Sequence, residues 1–355
     1  MKSDATKNPK KYRIYFFTLT EPGYSRSWNY FVGLRDIGID VVFVRLDRKK
    51  LIRSIFKFRK ISTEQDIHVI MSPSHFLVPI VRILLGKKPY LDAGWSLFEG
   101  SVISRKNLGF LGTNVVKSYL IDFIASRFAK KIVLESHLQK NFYSSLFRVN
   151  KEKCYVVYTG VDEEQFQISS NMQLPKNYFN NSKIVLFRGK YTREAGLEVL
   201  AAATHLLDSE DITFWVVSPS IPSSIKFSHT TIVLNHFFET KQDLARIYLE
   251  SNLTLGQLSD HSRLNRTVPH KAFESAFFSK SYLSARTKGV TELFLEGKEI
   301  LCFNPNDSQD LAYRIKDFFD QYDLYKGIGM NMRKKYDLQL SQSKLSREFF
   351  DIIQE

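Results

Sequence analysis

Apolar residues fall in short unbroken runs: RIYFFTLT at 13–20, DVVFVRL at 40–46, IHVIMSP at 67–73, KIVLES at 131–136 and CYVVYTG at 154–160. The pattern then restarts with KIVLFRG at 183–189, ITFWVVS at 212–218, TIVLNHF at 231–237, NLTLGQL at 252–258, SYLSA at 281–285 and EILCFNP at 299–305. Continuous rather than alternating apolar runs mark strands covered on both faces, and the helix-like segments between them supply the cover, so parallel sheets are predicted. Two such series in tandem predict an α/β chain of two Rossmann-like, doubly wound domains with a cleft between their carboxyl edges.

The expected boundaries are a first domain at 1–165, a linker at 166–182, a second domain at 183–335 and a final helix at 336–355. The linker rests on the polar, aperiodic stretch EEQFQISSNMQLPKNYFNNSK at 163–183. Beyond the last strand, DSQDLAYRIKDFF and the residues after it read as successive amphipathic helices, the first capped by Asp307. The length of 355 residues agrees with two domains rather than one.

Composition adds mainly exclusions. The two cysteines, Cys154 and Cys302, lie far apart and have no ligand-like spacing, so neither a disulfide framework nor a zinc site is expected. The eight histidines show no metal-ligand spacing and no DxD motif is present, so no bound metal is expected. The polar start MKSDATKNPKKYR lacks the apolar core of a signal peptide, and the longest apolar run, FLVPIVRILLG at 76–86, is interrupted by Arg82 and too short to span a bilayer. A cytoplasmic protein is expected.

Charge changes the picture more. Residues 1–170 carry 28 Lys and Arg against 15 Asp and Glu, whereas 171–355 carry 23 against 22, so nearly all of the +14 net charge sits in the first half. Its densest part, RLDRKKLIRSIFKFRK at 45–60, interleaves Leu51, Ile52, Ile55, Phe56 and Phe58 with cations, the composition of an interfacial helix. Arg48, Lys49, Lys50, Arg53, Phe56, Lys57, Arg59 and Lys60 are therefore expected to face the membrane, with anionic lipid as partner on the inner face of the cell membrane. No DNA- or RNA-binding motif accompanies the charge, so nucleic acid is not an expected partner. A merely solvated basic surface remains an open alternative.

One segment of the second half carries charge inside an apolar helix. In RTVPHKAFESAFF at 266–278, Lys271 and Glu274 are three residues apart and share one face after Pro269. An exposed ion pair worth about 0.3–0.5 kcal/mol is one reading of them; a ligand site at the first turn of the helix is the other.

The order of motifs favours the second reading. IVLESHLQKNFYSSLFRVNKEKCYVVYTGVDEEQF at 132–166, VLFRGKYTREAGLEVLAAATHLL at 185–207 and HKAFESAFFSKSYLSARTKGVTELFLEGKEILCFNPNDSQDLAYRI at 270–315 together resemble the retaining GT-B glycosyltransferases of family 4. The resemblance implies two Rossmann-like domains, a final helix crossing back to the first, and transfer of a sugar from a nucleotide-sugar donor, UDP- or GDP-linked, to a saccharide or lipid-linked acceptor for a surface polysaccharide or glycolipid. It implies no bound cofactor.

Within that resemblance, Glu274 matches the glutamate that binds the ribose. The helix starting near His270 would aim its N-terminus at the diphosphate, with Lys271 and Arg266 as cations beside it. Gly189 lets the backbone approach the ligand, Lys190 stands where the family usually has arginine, and Arg188 and Arg193 are further donor-side candidates. Glu292 in GVTELF is either a helix acid or a donor-loop contact. Asp92 in YLDAGWS stands where a histidine is usual after the fourth strand, and is assigned to the sugar side. Asp92, Arg266 and Lys271 are the candidate catalytic residues, since stabilising the leaving diphosphate is the main catalytic task.

The departures keep other readings open. Arg266 replaces a glutamate that contacts the donor sugar, and Ala195 in REAG replaces a lysine. A catalytically silent partner subunit of another transferase and a nucleotide-sugar epimerase of the same fold are the alternatives.

Overall fold

The computed structural model describes residues 13–21, 23, 26–103, 113–166, 183–234 and 241–355. Among them, the first half forms one parallel sheet from β1 (Ile14–Thr18), β2 (Val41–Arg45), β3 (Ile67–Met71), β4 (Tyr90–Gly94), β5 (Ile132–Leu134) and β6 (Cys154–Val156), in the order β2-β1-β3-β4-β5-β6. The second half forms another from β7 (Ile184–Arg188), β8 (Thr213–Val217), β9 (Thr231–Val233), β10 (Leu253–Leu255), β11 (Ser281–Ala285) and β12 (Leu301–Phe303), in the order β12-β11-β10-β7-β8-β9. Parallel neighbours require crossovers, and helices provide most of them. These are α1 (Arg26–Asp36), α2 (Leu51–Ile61), α3 (Leu77–Leu85), α4 (Thr113–Phe128) and α5 (His137–Leu146) on the first sheet, then α6 (Leu197–Leu206), α7 (Lys241–Glu250), α8 (His270–Phe277) and α9 (Lys288–Leu293) on the second, with α10 (Ser308–Asp320) following its last strand.

Both sheets are covered on both sides, which is why most of their strands are runs of apolar residues. Ile14, Phe16 and Val69 face one core of the first sheet, whereas Phe17, Ile70 and Leu91 face the other. In the second sheet, Leu186 and Trp215 alternate with Val185 and Phe214 in the same way. Helix starts follow local chemistry. The Ser136 hydroxyl accepts the backbone N–H of Gln139 at 2.9 Å to begin α5, and Asp307 accepts those of Gln309 and Asp310 to begin α10.

Strand β4 is the element that the apolar pattern did not contain. Its sequence YLDAG carries a carboxylate and a glycine, and Asp92 lies within the strand rather than after it. The charge is tolerated there because Asp92 pairs with the buried Arg26 at 3.1 Å and accepts the Ser27 hydroxyl. The expected linker lies, apart from Phe166, outside the described residues, as does the end of the TIVLNHF run.

Past the second sheet come α11 (Tyr322–Tyr325), α12 (Gly327–Lys335) and α13 (Gln342–Gln354). Helix α13 lies against α1 of the first half. Phe349 stacks on Tyr30 at 4.8 Å between ring centroids, and a Cβ at Gly33 would meet the Ser346 hydroxyl at 2.1 Å, so glycine is what lets the two helices approach. The chain thus ends on the domain where it began.

The basic segment at 45–60 forms a short 3₁₀ turn, Arg48–Lys50, followed by α2. Arg48, Lys49, Lys50, Arg53, Phe56, Lys57, Arg59 and Lys60 are all exposed, while Ile55 anchors the helix in the core. Ile52, Phe56 and Ile61 stay in solvent on the same helix, as does Ile83 on α3. On α4, Val116, Leu120, Ile124 and Phe128 recur every four residues as an exposed apolar stripe. Among the described residues no helix is long and apolar enough to cross a membrane.

Candidate active site

In doubly wound sheets a ligand crevice opens at the carboxyl ends of the strands, where neighbouring crossovers leave in opposite directions. Here that switch lies between β1 and β3 in the first sheet and between β7 and β10 in the second. Residues just past these strands meet around one cavity of about 530 Å³. Ser72 and Pro73 follow β3 and Arg26 opens α1; Arg188 ends β7, Gly189 follows it and Gln257 lies just past β10. Trp95 after β4 and Glu135 after β5 complete the first wall, while Arg263 and the segment Thr267–Lys271 complete the second.

The second wall is built around α8. Pro269 occupies its N-cap without any side-chain cap, so the free N–H groups of the first turn are directed towards the cavity that Pro269, His270 and Lys271 line. Lys271 and Glu274 are both buried, which excludes the exposed ion pair, and they do not pair with each other. Glu274 accepts two hydrogen bonds from Arg188, at 2.9 and 3.2 Å, and one from the Tyr248 hydroxyl at 2.7 Å. Burial and the Glu274 charge push the Tyr248 phenol well above its ordinary range, so it remains a donor.

Lys271 donates to the Gly256 carbonyl at 2.9 Å and lies 3.9 Å from the centre of the Phe187 ring. Burial, with like charge from Arg188, pushes its ammonium well below the usual lysine range. Its side chain runs beneath Gly189, where a Cβ would come within 3.4 Å of Nζ, so the missing side chain leaves the strand end open to the cavity. His270 is exposed at the mouth.

Other expected site residues lie elsewhere. Lys190 and Arg193 are exposed and do not line the cavity. Asp92 is fully buried behind Arg26, which lines the cavity in its place; desolvation raises the Asp92 carboxyl, opposed by the Arg26 charge. Arg266 turns away to the first domain, where it donates to Glu99 at 2.6 and 2.9 Å and lies 4.1 Å from the Phe142 ring centre. Glu292 also reaches the first domain, accepting the backbone N–H groups of His137 and Leu138 at 2.7 and 2.8 Å at the start of α5. Both make inter-domain contacts, because the facing helix N-terminus attracts the Glu292 carboxylate and the buried Glu99 attracts the Arg266 guanidinium.

Sequence reasoning missed Arg26, Trp95, Glu135, Gln257 and Arg263. Glu135 had a usable signal, a carboxylate immediately after a predicted strand and so at the ligand-binding edge of the sheet. Arg263 had none: only the fold seats it 4.7 Å over the Trp95 ring and 3.6 Å from Glu194. Among the described residues no group of three or more His, Cys, Asp or Glu side chains is arranged to hold a metal ion.

No protein-family model matches the sequence, and no curated protein does. Solved structures do match along the whole length. Anabaena HepE, crystallised with UDP-glucose, superposes with a TM-score of 0.70 at 13% identity over 96% of this chain and 99% of its own. Sucrose-phosphate synthase from Thermosynechococcus elongatus gives 0.72 at 13% identity, covering 96% and 98%. A glycosyltransferase from Rickettsia africae gives 0.67 at 15% identity, covering 97% and 98%. With two parallel six-stranded sheets, a cleft at their facing switch points and a last helix packed on the first domain, this chain has the GT-B fold.

Proposed function

We propose that this protein is a glycosyltransferase that moves a sugar from a UDP- or GDP-linked donor to a saccharide or lipid-linked saccharide, with retention at the anomeric carbon, in surface polysaccharide or glycolipid synthesis. The observation that carries the reading is the second wall of the cavity, where an uncapped helix N-terminus, Lys271, Arg188 and the oriented Glu274 stand together at a sheet switch point. A nucleoside diphosphate needs this set: free N–H groups and cations for the phosphates, and a carboxylate held to accept ribose hydroxyls. The full-length likeness to a structure crystallised with UDP-glucose supports it.

In this reading residues 1–165 hold the acceptor, 183–335 hold the donor, and 336–355 tie the two together. The acceptor oxygen bonds to the anomeric carbon as the bond from that carbon to the phosphate oxygen breaks, and the departing phosphate takes the acceptor proton. Helix α8 and Lys271 stabilise the charge that develops on the diphosphate. The diphosphate in turn adds negative charge beside the buried Lys271, which favours its ammonium form. The surface of α2, α3 and α4 combines cations with exposed apolar side chains, as a protein held peripherally on the cytoplasmic face of a membrane requires.

Calorimetric titration of UDP, GDP and their common sugar conjugates into the protein and into Glu274→Ala tests the donor site. Tight binding of one nucleotide, lost in the variant, is expected. A folded protein that binds none of them points instead to the silent-partner reading.

A further inference from the structure

Opposite the well-paired Glu274 stands a carboxylate with no such partners. Glu135 is 6% exposed and projects from the carboxyl end of β5 into the cavity; it is the only acidic residue among the described residues that line it. Its Oε1 is buried without a hydrogen-bond partner. A second acceptor at the same cavity, Gln257 Oε1 past β10, is in the same condition, while the Thr267 hydroxyl interacts with Glu135 from the facing domain. Buried polar atoms are nearly always bonded, so two unpartnered acceptors around one cavity mark a ligand rather than a packing fault.

The chemistry of these acceptors selects that ligand. A carboxylate oxygen and an amide oxygen accept hydrogen bonds. A phosphate has no hydrogens to offer the two acceptors, whereas a sugar ring carries several hydroxyls at the right reach. Among the cations nearby, Arg26 pairs with Asp92, Arg263 with Glu194 and Arg188 with Glu274, and the Arg263 and Arg26 charges act on Glu135 without occupying its Oε1. Glu135 is therefore left for the ligand.

We propose that Glu135 is the sugar-recognition residue of this cleft, accepting hydroxyl hydrogens of the donor's sugar from the first domain while Gln257 holds the same ring from the second. The inference rests on the donor-site reading above. It places the sugar contact on the wall opposite the nucleotide contacts, so the sugar is gripped only when both domains close on it. It also accounts for a sugar site without a carboxylate at position 266, where Arg266 is committed to Glu99.

The test is calorimetry with UDP, UDP-glucose, UDP-N-acetylglucosamine, GDP and GDP-mannose on the wild-type protein, Glu135→Gln and Glu135→Ala. For the base that binds, one sugar conjugate is expected to bind more tightly than its nucleoside diphosphate. Both variants should keep the wild-type affinity for the diphosphate and lose about ten- to a hundred-fold for the conjugate, the range for a hydrogen bond to a charged group.

The wild-type preference for the conjugate should also grow as pH rises through about 7. There Glu135 loses its proton: desolvation raises it, the Arg263 and Arg26 charges and the Thr267 hydroxyl oppose that rise, and the Glu99 charge adds to it. In Glu135→Gln that pH dependence should be flat. Parallel weakening of diphosphate and conjugate, unchanged conjugate binding, or no wild-type preference for any conjugate overturns the assignment to Glu135 and leaves the nucleotide site standing. Failure of the wild type to bind either diphosphate removes the donor-site reading, and this inference with it.

Discussion

The two walls of the cleft use buried carboxylates in opposite ways. Glu274 on the second wall is held by Arg188 and Tyr248 through three hydrogen bonds, all within its own domain. Glu135 on the first wall has a bare oxygen, and desolvation pushes its carboxyl up to about 7. A carboxylate fixed in advance suits a ligand part of constant shape, because no reorganisation is needed on binding. A carboxylate left unpaired costs stability in the empty protein, the usual trade at a functional position. The contrast teaches that one wall is built as a socket and the other as a sensor that is completed only by its ligand.

Stability measurements sharpen this contrast, since the two residues should respond with opposite signs. Glu274→Ala leaves Arg188 partly buried without its partner and should destabilise the fold by about 3–5 kcal/mol, measured by urea unfolding. A change below about 1 kcal/mol would show that the socket is not pre-paired in solution.

For Glu135 the folded-state pKa is raised from the ordinary 4.5 to about 7. Below the unfolded value both states hold the proton and the residue costs nothing. As pH rises through the folded value that favourable position is lost, and above it the cost is about 3 kcal/mol. Glu135→Gln should therefore melt above the wild type at pH 8 and converge with it near pH 4. A melting difference that does not change with pH would break the comparison.

Between the walls lies the Arg266–Glu99 pair, in which Glu99 is fully buried and otherwise held by Gln139 at 2.7 Å. Arg266→Ala should cost about 2 kcal/mol, and adding Glu99→Gln should recover most of it, because the cost comes from the stranded charge rather than from the lost contact. A double variant as unstable as the single one would make the bridge a packing element instead.

The smallest expected effect concerns the outer surface of the first domain. Replacing Lys57 or Lys60 by glutamate should weaken co-flotation with anionic vesicles by about 1 kcal/mol per charge removed and leave nucleotide affinity unchanged. Equal binding to neutral and anionic vesicles would return the basic face to a merely solvated surface.

By itself the sequence determined the class of fold and one half of the site. Eleven of the strands announce themselves as apolar runs, since a strand covered on both faces has little polar surface to satisfy. Lys271, Glu274 and Gly189 could be singled out because they interrupt such local patterns. Only the tertiary structure decided β4, where a carboxylate enters the sheet because Arg26, distant in sequence, neutralises it. It likewise decided that Arg266 and Glu292 join the domains, that Asp92 stands behind Arg26, and that Glu135 meets Gln257 and Thr267 across the cleft. Those outcomes depend on which charged groups the packing of two separate domains brings within a few ångströms. Local periodicity carries no record of that.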